Sequence, residues 1–408
     1  MKKTVILAAL VLISAGCFAQ KKNVSKARNI VMAETEQAPD YEAARVAIDE
    51  ALRNEETAGQ AETYYVAGLI GYQENLWEHN HVSQDWTKRG KAVMESMDYW
   101  VKADEIAMTP TYDKKGKPHV QARYRKMISE KMMDYYNNQE LIQYGVVLND
   151  NRDYKKAFDV FMRYLSIPDL AIMQDEKMQA KMPKDTTYYL YKYYAARMAF
   201  DGGEYETAIS MFRELMDGNH EAIHSGEFLY QSYINKGDSA TANQILDECI
   251  KKYPQEAWFL QNRINNLVNG GHADEAISYL DQAIQMDPQA QYFNSKGSIL
   301  NMLKRYDEAV PVLEQAIAID PNNAAIHSNL GFVYFDHANQ MIDEAPSNLD
   351  NKAYNKLKAE ADKLFASALP YFKKAYELEP DNYQYRTALR QLYYRLKMMD
   401  EYNALGAY

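Results

Sequence analysis

Ala208, Ala242, Ala276 and Ala309 follow one another at intervals of 34, 34 and 33 residues. Four residues beyond each lies Phe212, Leu246, Leu280 or Leu313, and three further on lie Leu215, Cys249, Ala283 and Ala316. Pro254, Pro288 and Pro321 close three of these units. A register kept over four units confines the chain to a repeat architecture, in which each unit buries its apolar face against its neighbours. The four-then-three spacing within a unit is that of one helix face. A small residue lets the second helix approach the first, a larger one fills the gap between them, and proline, with no N–H to donate, stops the helix. Each unit is therefore expected to be two short amphipathic helices. Composition agrees, since 17 Gly and 12 Pro in 408 residues fall well below the roughly 12% that these two residues usually make up. Little is left for sheet turns, and an all-α fold is expected.

At these positions the chain resembles the tetratricopeptide repeat family, whose unit pairs an early Leu-Gly with a later Ala, Phe, Ala and Pro. The best example is 290–323, where Phe293, Gly297, Leu300, Tyr306, Ala309, Leu313, Ala316 and Pro321 occupy the family's positions. Leu330, Gly331 and Tyr334 begin the next unit. Towards the N-terminus, Gly145, Tyr154, Ala157 and Phe161 mark a unit at 138–171, and Tyr41, Ala44, Ile48 and Ala51 one near 25–58. Tyr64 and Gly68 open a unit that Ser96, Trp100 and Ala103 close. The resemblance implies a right-handed α-solenoid of stacked helix-turn-helix units with eight repeats. Along the chain it gives divergent repeat-like helices over 20–137, a repeat array over 138–323, a repeat with an insert over 324–382, and capping helices over 383–408.

The departures from the pattern are specific. Gly331 and Phe365 lie 34 residues apart where the family spacing is about 9, so roughly 25 residues stand between the two helices of the eighth unit. That insert, Asp336 to Leu364, is rich in Ala, Lys, Glu and Leu. Two overlong helices forming a protruding hairpin, turning near Pro346-Ser347-Asn348, are expected. Shorter inserts fall at about 72–90 and 172–188. Thr109 to Arg125, with Lys114, Lys115, Lys117 and Arg123, reads as a surface linker.

Residues 1–19 carry two lysines, an apolar stretch from Val5 to Ala15, and small residues ending at Ala19, the pattern of a secretory signal peptide. The apolar stretch is shorter than the roughly 20 residues needed to span a bilayer. An exported, periplasmic protein is expected. The alternative is an outer-membrane lipid anchor at Cys17, since Ser14-Ala15-Gly16-Cys17 resembles a bacterial lipoprotein cleavage site with serine in place of the usual aliphatic residue. The other cysteine, Cys249, has no second cysteine to pair with once Cys17 is removed, so packing and not disulfides must stabilise the fold. With 46 Lys and Arg against 57 Asp and Glu, the formal charge of −11 argues against a nucleic-acid partner.

Few residues suggest chemistry. His220-Glu221-Ala222-Ile223-His224 spells the zincin motif, in which two histidines one helical turn apart bind zinc and the glutamate activates water. It straddles a repeat junction, however, and only Glu227 is near enough in sequence to be a third ligand. An exposed loop-to-helix junction is the preferred reading, with zinc hydrolysis the remote alternative. Glu78-His79-Asn80-His81, flanked by Trp77 and Trp86, offers metal ligands or ring faces for a sugar. No nucleophile elbow, phosphate loop or dinucleotide fingerprint occurs, and neither catalysis nor a cofactor is expected. The tyrosines, 34 in all and densest at Tyr188, Tyr189, Tyr191, Tyr193 and Tyr194, are expected to pack between helices with their hydroxyls wet.

The better binding candidate follows from the family resemblance, which places five positions of each first helix on the concave groove. In the sixth repeat these are Trp258, Gln261, Asn265, Val268 and Asn269; in the seventh, Gln291, Asn294, Ser298, Asn301 and Met302. The fifth contributes His224, Glu227, Gln231, Ile234 and Asn235. Amides both donate and accept, which suits the unpaired backbone of an extended peptide. The family's carboxylate clamp needs lysine or arginine, where this chain has Gln261, Gln291 and Ala325, so a chaperone-tail clamp is not expected. The function these residues imply is a non-enzymatic envelope scaffold holding a protein or extended peptide along its groove. The alternative is capture of carbohydrate, as in glycan-binding lipoproteins of the SusD type, whose long ligand-binding inserts this chain lacks.

Overall fold

The computed structural model describes residues 21–406. The expected signal segment, 1–19, and Cys17 lie outside them. The chain folds as two compact units, and the division between them falls between Ile245 and Leu246.

The first unit carries α1 (residues 21–31), α2 (Tyr41–Leu52), α3 (Glu55–Ala58), α4 (Ala61–Asn80), α5 (Trp86–Met108), α6 (Ala122–Asn138), α7 (Glu140–Asp150) and α8 (Tyr154–Ser166). It continues through α9 (Glu176–Gln179), α10 (Thr186–Asp201), α11 (Tyr205–Asp217) and α12 (Ala222–Asn235) into α13 (Ser239–Lys252), within which the division falls. Helices adjacent in sequence pack as pairs, α4 on α5, α7 on α8 and α11 on α12. Their starts are written in short polar side chains: Asp40, Asp85 and Asp185 each accept a hydrogen bond from a backbone N–H of the first turn, satisfying donors that have no partner within the helix.

The insert near 72–90 lengthens α4 and α5 to 20 and 23 residues. Their contact is sealed by Trp100, fully buried, whose indole N–H donates to the Tyr65 carbonyl at 3.1 Å. The ring lies so close to α4 that a Cβ on Gly68 would stand 2.4 Å from Trp100 Cδ1. A polar knot joins α4, α5 and α7: Arg89 meets the fully buried Glu140 at 3.2 Å, and Asn75 donates to Glu140 while accepting from Arg89 Nε. The segment expected to be a surface linker is exposed over 109–123, where it also forms an antiparallel strand pair, Thr111–Tyr112 with Pro118–His119, but its end enters α6, with Tyr124 buried and Arg125 half-buried. Its turn is held by the Asp113 carboxylate, which accepts from the backbone of Lys115 and Lys117.

The second unit continues with α14 (Ala257–Asn269), α15 (Ala273–Met286), α16 (Ala290–Met302), α17 (Tyr306–Ile319), α18 (Ala324–Asp343), α19 (Asn351–Leu378), α20 (Tyr383–Arg395) and α21 (Met399–Ala404). Each repeat in it is a helix pair, α14 with α15 and α16 with α17. Of the residues that carry the period, Ala276, Ala309, Leu280, Leu313 and Ala316 are fully buried. Pro288 and Pro321 stand just past the ends of α15 and α17.

The insert forms the expected helical hairpin. α18 and α19 run to 20 and 28 residues where α16 and α17 have 13 and 14, and their connection contains Pro346-Ser347-Asn348. Phe335 meets Phe365 edge to face at 5.3 Å between centroids, and Ala338 and Ala361 are fully buried. Beyond Ala361 towards the turn, α19 is mostly exposed. Pro311 and Pro370 sit inside α17 and α19, each two residues after the buried alanine of its unit, Ala309 or Ala368. This shared register marks where the regular second helix of the eighth unit resumes after the insert. Among the described residues Cys249 is buried and in no disulfide, and no helix is long and apolar enough to cross a membrane.

Candidate partner-binding face

α14 buries Phe259, Leu260, Ile264 and Leu267, and α16 buries Phe293, Gly297, Ile299 and Leu300. With one face committed to the core, the intervening positions must face outward. On α14 the outward set includes Asn265 and Asn269, both exposed, and Gln261, whose Nε2 donates to Asn265 Oδ1 at 3.1 Å. Trp258 is half-buried, edge-on to Phe259 with centroids 5.3 Å apart. Val268 packs against the core instead.

On α16, Gln291 is exposed, Asn294, Ser298 and Asn301 are half-buried, and Met302 is 54% exposed. Two of these amides are engaged with the next repeat. Asn329 of α18 donates to Asn294 Oδ1 at 2.8 Å, and Asn301 donates through Nδ2 to Asp336 Oδ2, also at 2.8 Å. Burial holds the Asp336 carboxyl above its ordinary range, against the opposing effect of the Asn301 hydrogen bond. Asn294 and Asn301 are thus ties between first helices. Asn269, Gln291 and Ser298 remain as polar groups open to a partner, with the exposed Asn265, whose Oδ1 already accepts from Gln261, offering its amide nitrogen. Sequence reasoning passed over Asn329 and Asp336, although each stands 35 residues beyond its partner, close to the repeat period.

The other sequence candidates are placed as follows. Glu221 has φ of 44° and lies outside α12, which begins at Ala222, so the zincin histidines do not share a helical face. His220 instead stacks on Tyr189, and His224 faces Glu221 at 3.5 Å. Among the described residues no group of three or more His, Cys, Asp or Glu is disposed to hold a metal ion. Trp77 stacks on His81 at 4.1 Å, and the Arg89 guanidinium lies 4.4 Å over Trp86, so each indole has one face covered by its own chain. His79 turns to Arg89 and Glu78 to Lys88. Of the tyrosine cluster, Tyr188 and Tyr193 are buried and Tyr194 is 41% exposed. Tyr191 packs edge-on against Tyr164, which is the expected helix-packing role.

A fold of stacked helix pairs with a small residue on one helix opposite a large one on the next defines a helical-repeat solenoid. Two segments match models of one family, residues 297–337 a TPR repeat and residues 231–256 a tetratricopeptide repeat. Over these two segments the chain carries tetratricopeptide repeats. Its solved likenesses include a TPR repeats protein from Bacteroides fragilis NCTC 9343, 17% identical, covering 64% of this chain and 98% of that one with a TM-score of 0.32. Another is MamA from Desulfovibrio magneticus RS-1, 20% identical, covering 45% and 88% with a TM-score of 0.33. No curated protein matches the chain.

Proposed function

We propose that this chain is a non-enzymatic, exported scaffold that holds an extended segment of a partner protein along the outward face of α14 and α16. The observation that carries this reading is the set of open amides, Asn265, Asn269 and Gln291, on first helices whose opposite faces are buried. Amide side chains supply both donors and acceptors to an extended backbone. Neutral hydrogen bonds contribute roughly 0.5–1.5 kcal/mol each, so affinity arises from several contacts and is modest for each. Export rests on residues 1–19, with a lipid anchor at Cys17 as the variant form.

The test is in-cell crosslinking of the tagged chain followed by mass spectrometry, in parallel with an Asn265→Ala, Asn269→Ala, Gln291→Ala variant. One protein enriched with the parent chain and lost with the variant supports the scaffold. Equal enrichment in both removes this face from partner binding.

A further inference from the structure

The second unit holds a cleft that the repeat pattern does not contain. It opens where the long hairpin α18–α19 meets the shorter pair α20–α21, with a volume of about 1180 Å³. Its origin is a mismatch of lengths. At about 1.5 Å per residue, α18 and α19, of 20 and 28 residues, outreach α20 and α21, of 13 and 6. The last pair therefore leaves part of the hairpin wall uncovered, and the step between them forms the cleft.

The lining is unlike the rest of the chain. Lys358 comes from the hairpin, and Arg390, Arg395 and Lys397 from the last pair; Asp362 is the one carboxylate among the lining residues. Elsewhere acids outnumber bases, giving −11 for the whole chain. Among the described residues Lys358, Arg395 and Lys397 are exposed and have no carboxylate within 4.0 Å. Arg390 is held in place, its guanidinium 4.5 Å over the Tyr402 ring and donating to the Tyr402 hydroxyl at 3.0 Å. Apolar surface lies between the cations: Tyr394 is 64% and Met399 45% exposed, beside Phe335 and Ile342 of the hairpin.

We propose that this cleft is a second binding site, taking an internal acidic segment of a partner protein in which side-chain carboxylates flank apolar residues. The volume exceeds the roughly 300–1,000 Å³ of small-molecule pockets, which favours a stretch of polypeptide. Three cations without acidic partners, on a chain that is otherwise acidic, select for carboxylates by charge complementarity. Tyr394 and Met399 supply the surface against which apolar side chains lose water. The site lies apart from the amides of α14 and α16 and does not depend on their role.

The test uses the full chain and a fluorescein-labelled dodecapeptide of alternating Glu-Glu and Leu-Phe pairs, acetylated and amidated so that it has no charged terminus. Fluorescence anisotropy is expected to show saturable binding that weakens with salt. Affinity should fall about tenfold or more for a peptide with Gln in place of every Glu, and similarly for a Lys358→Gln, Arg395→Gln, Lys397→Gln variant. Tyr394→Ala should weaken binding while leaving its salt dependence intact. The Asn265→Ala, Asn269→Ala, Gln291→Ala variant should bind as the parent does, which separates this site from the amide face. Unchanged thermal melts by circular dichroism establish that the variants are folded. Undiminished binding by the cation variant, equal affinity for the Gln peptide, or binding only when the peptide carries a free terminal carboxylate would each overturn the proposal. Binding to phosphatidylglycerol vesicles without binding to the peptide would overturn it in favour of a lipid surface.

Discussion

Asn301 of α16 donates a 2.8 Å hydrogen bond to Asp336 of α18, tying the first helices of two successive repeats through a half-buried carboxylate. Burial raises the Asp336 pKa, so between its unfolded and folded values the native state binds more protons than the unfolded chain. Stability then falls as pH rises through that window. Asp336→Asn removes the ionised group but keeps an oxygen for Asn301. It is expected to raise the melting temperature at pH 7, by less than about 1 kcal/mol in stability because the site is partly solvated, and to lose that advantage below the ordinary carboxylate range. Melts at pH 7 and pH 3.5 check both halves of the expectation.

Breaking the polar knot of the first unit should cost more. Arg89→Met leaves Glu140 buried without its cation, and removing one partner of a buried pair costs about 3–5 kcal/mol. Replacing both, as Arg89→Met with Glu140→Leu, should recover most of that loss. Urea denaturation of the two variants decides it, and equal destabilisation by both would show that the pair is not the controlling feature.

Gly297 leaves no room for a side chain. A Cβ there would stand 2.4 Å from Leu313 Cγ, so Gly297→Ala is expected to cost about 1–3 kcal/mol by overpacking. Leu313→Ala alone opens a cavity costing about 2–5 kcal/mol. The double variant should be less destabilised than the sum of the two, because the new methyl occupies part of that cavity. Additive losses in a double-mutant cycle would contradict this fit.

The amides of one stripe should separate into two groups. Asn265→Ala and Asn269→Ala alter exposed side chains and should change stability by no more than about 0.5 kcal/mol. Asn301→Ala orphans Asp336 and should destabilise by about 1–3 kcal/mol. Chemical denaturation of the three single variants measures the contrast.

The hairpin turn is the expected site of first cleavage. Residues 346–348 are exposed, and α19 between Asn351 and Glu360 is covered only at Ala353 and Leu357. Limited proteolysis should nick near 344–350 before any helix of the α14–α17 array, and amide exchange in the first turns of α19 should outpace that around Phe372. Slow exchange over Asn351–Glu360 would mean that this segment is covered by something else in solution.

The periodic core was legible because Ala276, Ala309, Leu280 and Leu313 do one job each, filling the same space in every unit, so spacing alone betrays them. The hairpin was legible for the opposite reason, as an interruption of a known interval between Gly331 and Phe365. For Asn294 and Asn301 periodicity gives a direction and not a bond. Their ties to Asn329 and Asp336 depend on how closely α16 and α18 approach, which a single-chain pattern does not state. The cleft at the hairpin was hidden more thoroughly. Lys358, Arg395 and Lys397 lie on three different segments, and only the step in helix length brings them to one opening.

In both units helices pack chiefly on neighbours close to them in sequence. Such a chain closes almost all its interactions over short loops, which keeps the entropic barrier to folding low. A newly emerging segment of some 34 residues already holds a complete helix pair, which has only to dock on the pair before it. Nothing near the C-terminus is needed to begin assembly at the N-terminus, and the chain can gain structure in order, one pair at a time.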